Sequence, residues 1–87
     1  MFIYRNLIVN YINHKLTPEI IRAYASNNSF PITTSESIII YNFIKRNYNL
    51  ILNGNNEIIK SLKCEVRDDL YNKVYDLYIY YKSKLDV

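Results

Sequence analysis

His14 and Cys64 have the side-chain types suited to a general base and a nucleophile, and each occurs once in the 87-residue chain. Nucleophilic catalysis needs the base within hydrogen-bond reach of the nucleophile and a third group to orient the base. No such set can be assembled here. Cys64 follows Leu62-Lys63 in a helical run with no base beside it, and is expected to be a small, half-buried residue. His14 falls at the end of the first helical segment, where the helix dipole favours a cation. Glu65, Asp68, Asp69 and Asp76 lie at helix starts and on polar faces, and capping accounts for Asp68 and Asp69.

The same counts exclude other chemistries. One Cys forms no intramolecular disulfide and no Cys-based zinc site, and one His forms no multi-His metal site. One Gly, Gly54, cannot build a P-loop or a dinucleotide fingerprint, which bring several glycines close to phosphate. The reading is therefore no enzyme, no cofactor and no metal.

Binding chemistry is the remaining class. The net charge is +3, and all of the surplus lies in residues 1–47, with Arg5, Lys15, Arg22, Lys45 and Arg46 against Glu19 and Glu36. Arg22, Lys45 and Arg46, with Tyr24, Tyr41 and Tyr48 near them in sequence, form a candidate face for phosphates and stacked bases. A second candidate is aromatic. Tyr71, Tyr75 and Tyr78 recur at i, i+4 and i+7 beside a stripe of Leu70, Val74, Leu77 and Tyr81. If the latter stripe packs inward, the tyrosines stand partly exposed and, with Ile38 and Ile39, offer a protein interface. Composition tempers this inference. Ile (14), Asn (12), Tyr (10) and Lys (7) all have codons rich in A and T, so an AT-rich genome also accounts for the tyrosines.

The elements that would position these residues are helical. Two-residue alternation is never sustained, and Asn53-Gly54 is the one hairpin-type dipeptide. Residues 2–13 place Ile3, Leu7, Ile8, Tyr11 and Ile12 on one broad face. Thr17-Pro18-Glu19 starts a second helix running to about Ser26, with Ile20 or Ile21, Tyr24 and Ala25 inward. Phe30-Pro31-Ile32 is extended, because a residue before proline is pushed out of the helical region. Thr33-Thr34-Ser35-Glu36 fits a capping box opening a third helix to about Asn47, with Ser37, Ile40, Phe43 and Ile44 as core and a loop over Tyr48 to Asn53. A fourth helix over roughly 55–64 carries Ile58, Ile59 and Leu62. A fifth runs from Arg67 or Asp68 to about Leu85. The expectation is one all-α domain, residues 1–87, of four or five short helices around a shared core. A chain this long buries roughly 60–65% of its unfolded surface, enough for one core.

Residues 16–37, LTPEIIRAYASNNSFPITTSES, and the helical remainder to about Tyr81 resemble the YqfT-like family of small uncharacterised bacterial proteins. Thr17, Glu19, Tyr24, Ile32, Thr33, Ile40 and Ile44 carry the resemblance, with Asn53 a looser fit. The family's basic, glycine-containing stretch after the third helix is represented only by Lys45-Arg46, and the spacing around 54–60 is shifted. The resemblance implies an all-helical fold and no known activity. Helix, extended Phe30-Pro31-Ile32 and capped helix are also similar to the helix-extended-helix unit of SAP-type domains, many of which bind DNA.

Arg5, Asn6, Asn10 and Asn13 interrupt the first apolar segment, so it reads as neither signal peptide nor membrane span, which takes roughly 18 apolar residues. A cytoplasmic protein is expected. The functional expectation is a non-enzymatic interaction module that binds a protein partner or forms a homodimer through Ile38, Ile39, Tyr71, Tyr75 and Tyr78. The alternative is weak nucleic-acid binding through Arg22, Lys45 and Arg46.

Overall fold

Helix starts are dictated locally, and the caps expected at Thr17 and Thr33 form, while Asp68 and Asp69 lie inside the first turn of the fifth helix. In a computed structural model, residues 2–85 are described, apart from the side chains of residues 2–5, 81, 84 and 85. The expectations placed on Ile3, Arg5, Tyr81 and Leu85 lie outside the described side chains. The elements are α1 (Phe2–His14), α2 (Pro18–Asn27), α3 (Thr34–Leu52), α4 (Asn56–Lys60), a 3₁₀ turn (Ser61–Cys64) and α5 (Asp68–Leu85), with no strand among the described residues. The chain is an all-α fold.

The Thr17 hydroxyl accepts from the Ile20 amide at 3.2 Å, with Pro18 at the first helical position. At α3 the capping box is complete. Thr33 Oγ1 accepts from the Glu36 amide at 3.0 Å, while Glu36 Oε1 accepts from the Thr33 amide at 2.9 Å. The helix ends are equally specific. After α2, Phe30 N donates to the Ala25 carbonyl at 2.9 Å and Ser29 N to the Ser26 carbonyl at 3.0 Å, with Ser29 left-handed at φ 62°. After α3, Asn55 N and Gly54 N bond back to Leu50 and Ile51 in the same pattern, with Gly54 at φ 80°. That position favours the one residue without a Cβ.

The third helix therefore does not stop near Asn47. It continues through the expected loop to Leu52, because Tyr48 and Ile51 extend the apolar series of Ile40 and Ile44 at four- and three-residue steps. The chain turns only where Gly54 permits it. Ser37 is buried on this helix and donates to the Thr34 carbonyl at 2.6 Å, so its hydroxyl enters the core satisfied.

Two apolar clusters flank α3. One joins Phe43, Ile59, Leu62 and Tyr71. The other joins Ile32, Ile40 and Leu70, and Val66 and Val74 pack against both. Arg67 ties the start of α5 to this arrangement. Its Nε donates to Glu36 Oε2 at 2.9 Å, Nη1 to Asp69 Oδ2 at 3.2 Å and Nη2 to the Pro31 carbonyl at 3.4 Å, and the guanidinium lies 5.4 Å from the Phe30 ring centre.

Several expected orientations are corrected. Tyr71 is not exposed: at 9% accessibility it belongs to the core, with Tyr75 and Tyr78 half-buried against the same cluster. The cause is α4 and the 3₁₀ turn, whose Ile59 and Leu62 cover that side of α5, so this helix buries two stripes instead of one. On α1, Ile12 is buried but Leu7 and Tyr11 are exposed, and on α2 Tyr24 is exposed, while Ile21, of the two alternatives Ile20 and Ile21, packs inward with Ala25 as expected. Cys64 is exposed rather than half-buried.

Urea unfolding distinguishes these roles. Tyr71→Ala is expected to lose about 3 kcal/mol, as for a buried aromatic truncated in a core. Ile38→Ser is expected to stay within about 0.5 kcal/mol. Arg67→Lys is expected to lose about 1 kcal/mol despite the retained charge, because an ammonium cannot reproduce the forked geometry. A mild Tyr71→Ala effect would return that residue to the surface.

Candidate apolar binding site

Tyr11, Ile20 and Tyr24, exposed on α1 and α2, line a trough. Its floor is α3, through Ile40, Ile44, Tyr48 and Ile51. One wall is α5, through Lys73, Val74, Leu77, Tyr78 and Lys82, and the other is Ile8, Tyr11, Leu16, Ile20 and Tyr24. At about 1.5 Å per residue, the floor from Ile40 to Ile51 is roughly 16 Å long. Two cavities of about 450 and 560 Å³ make up the trough, and they share Tyr11, Leu16, Ile40, Ile44, Val74 and Leu77. These volumes fall in the range of ligand pockets.

The trough is deep. Phe43 and Leu62, which line it, are 2% and 0% accessible, so its base is the core itself. It is also almost wholly apolar, and no carboxylate is among its lining residues. Arg67 and the burial of Leu70 and Tyr71 fix the start of α5, and the later residues Val74, Leu77, Tyr78 and Lys82 line the trough. Sequence reasoning missed this site. The available signal was that α1 and α2 carry more apolar residues than one inward stripe can use.

At the α3 C-terminal end of the trough lies a small polar network. Tyr78 Oη donates to Asn56 Oδ1 at 3.1 Å, and Lys82 Nζ donates to the same oxygen at 3.1 Å and to the Gly54 carbonyl at 3.4 Å. The Lys82 ammonium also lies 5.7 Å from the Tyr78 ring centre. Burial, with Tyr75 close by, raises the Tyr78 phenol above its ordinary pKa.

The other candidate residues are dispersed. Arg22 Nη1 donates to Thr34 Oγ1 at 2.8 Å, and Lys45 Nζ donates to the Ile12 carbonyl at 3.5 Å and lies over the Tyr41 ring. Arg46 pairs with Glu65 at 3.5 Å. The three cations thus turn toward the start of α3, the end of α1 and the link before α5, with no shared focus. Ile38 is 44% accessible on α3 and Ile39 is half-buried. The Tyr71 and Tyr75 rings lie 5.9 Å apart and tilted by 40°, and those of Tyr75 and Tyr78 6.3 Å apart and tilted by 54°, along the core-facing side of α5. His14 is exposed. Among the described residues, no cluster of three or more His, Cys, Asp or Glu could hold a metal ion, and no helix is long and apolar enough to cross a membrane.

No family model, curated protein or solved structure matches this chain.

The Tyr78 shift has a defined pH signature. A phenol is neutral when protonated, so a raised pKa means that the folded state retains a proton the unfolded chain loses. The stability it contributes is fully present below the ordinary phenol pKa and disappears as pH rises through the raised folded value. An ultraviolet phenolate titration of the native protein should show a late-titrating component that Tyr78→Phe removes. An unchanged titration curve in that variant would contradict the assignment.

Proposed function

We propose that this protein is a non-catalytic interaction module, and that the trough between α1–α2 and α5 receives an apolar element of a protein partner. The supporting observation is the trough itself, a deep and continuous apolar groove rimmed by the exposed side chains of Tyr11, Ile20 and Tyr24. A small domain leaves such surface open to water only at a cost in solubility and stability, and a large exposed apolar patch characteristically marks an interaction site. Burial of an inserted aliphatic or aromatic side chain against Phe43, Ile44 and Leu77 would supply the central anchor that dominates interface energetics.

This reading moves the interface off Tyr71 and Tyr75 and keeps Tyr78, which lines the trough. Tyr71 is occupied in the core, so a partner reaching it would have to displace α4 and the 3₁₀ turn. Nucleic-acid binding is the weaker alternative. Arg22, Lys45 and Arg46 each have an intramolecular partner, and a phosphate backbone would meet them on separate sides of α3. The YqfT-like resemblance implies no activity and is compatible with a binding role.

Site-specific photo-cross-linking in the native host tests the proposal. A benzophenone side chain placed at Ile20 is expected to form a discrete protein adduct, whereas one placed at Ile38 is not. Adducts from Ile38 with none from Ile20 would move the interface to the outer face of α3 and overturn the assignment.

A further inference from the structure

The charges around the trough identify the kind of element that fills it, given that the trough is the binding site. Lys73 lines the end near α2, and Lys82 lines the end near the close of α3. Neither has a carboxylate partner among the described residues. Among those residues Lys82 is held by two neutral oxygens, and Lys73 makes no ion pair or hydrogen bond. The described acids nearest them in the chain line other surfaces. Asp69, one turn before Lys73, pairs with Arg67, and Asp76 lines a different cleft with Lys60 and Lys63. Glu19 lies in a separate cleft with Arg22 and Pro31. The result is an apolar groove whose charged lining residues are Lys73 at one end and Lys82 at the other, with no carboxylate among the described lining residues.

We infer that the occupant is an amphipathic helix of about two to three turns, with an apolar stripe against α3 and acidic residues at both ends facing Lys73 and Lys82. The two lysines are nine residues apart on α5, about 13 Å along its axis at 1.5 Å per residue and half a turn apart around it, so they flank the apolar face of α5 from its two edges, one at each end of the trough. Helix-in-groove docking uses anchors at i, i+3, i+4 and i+7, and the floor residues of α3 repeat at the same steps. Charge complementarity disfavours a second copy of this chain on the same face. A symmetric dimer through the trough would set lysine-bearing rims together without a lining acid to receive them. A single-chain anionic lipid would satisfy one lysine and leave the other.

The test uses the full-length protein and a fluorescein-labelled synthetic helix with leucines at i, i+3, i+4 and i+7 and glutamates at both ends. A second peptide carries lysines in place of the glutamates. Fluorescence anisotropy should show saturable binding of the glutamate peptide, with a gain in peptide helicity by circular dichroism. Lys73→Glu should weaken that binding about tenfold and strengthen binding of the lysine peptide. Lys73 makes no hydrogen bond or ion pair with the described residues, and Lys73→Gln, which keeps most of the stem and should have an intermediate effect, controls for any loss of fold. Equal binding of both peptides would overturn the acidic partner and leave the trough as a binding site. Concentration-dependent dimerisation abolished by Ile44→Glu would assign the groove to a second copy, and saturable palmitate binding without peptide binding would assign it to a lipid. Either result refutes the inference. Absence of both peptide binding and a cross-link from Ile20 would refute the binding site itself.

Discussion

The arrangement of the helices depends on one guanidinium. Arg67 joins the carboxylate that caps α3, the carbonyl of the extended Phe30-Pro31 segment and the first turn of α5. A single exposed ion pair is worth little. Here, however, Glu36 is only 17% accessible, and its second oxygen is already engaged by the Thr33 amide, so the pair is held without further loss of side-chain freedom. Asp69 contributes twice, accepting from Arg67 and from the Leu70 amide at 2.9 Å. The start of α5 is thereby fixed beside the start of α3, and Leu70 and Tyr71 are delivered into the two halves of the core.

Everything past that knot follows from having fixed α5 at one end. The Gly54 turn sends α4 and the 3₁₀ turn across one side of α5, where Ile59 and Leu62 seal the first cluster. The other side receives only partial cover from α1 and α2. Their apolar residues are too numerous for one stripe, and the surplus rims an open groove. The groove is thus bounded by the core, and a ligand entering between α5 and α2 would meet the half-buried Ile44, Val74 and Leu77 first.

What could be read in the residues was the local physics. Thr17, the Thr33–Glu36 box and the identity of every helix were legible because a cap involves atoms three residues apart. The end of α3 was misplaced because Asn47 and Asn49 resemble loop residues until Tyr48, Ile51 and Leu52 are seen to continue the apolar series. The burial of Tyr71 was not legible, since it depends on a second helix and a 3₁₀ turn folding over α5. Arg67 was invisible for a related reason: Glu36 and Pro31 are 31 and 36 residues away in the chain. The trough was the least legible of all, because no residue pattern encodes a gap between helices. The positions of the cations were legible and their partners were not, so a sequence-level basic face dissolved into three separate contacts.

Isoleucine supplies a direct probe of the binding account. The chain has 14 isoleucines. Ile8, Ile20, Ile44 and Ile51 line the groove, while Ile38 and Ile79 stand exposed outside it. Methyl-selective NMR of isoleucine-labelled protein, titrated with the glutamate-flanked helix, reads both sets in one spectrum. The account predicts that the groove methyls shift together and saturate with the peptide while Ile38 and Ile79 remain still. Movement of Ile38 and Ile79 with the groove methyls unperturbed would contradict it.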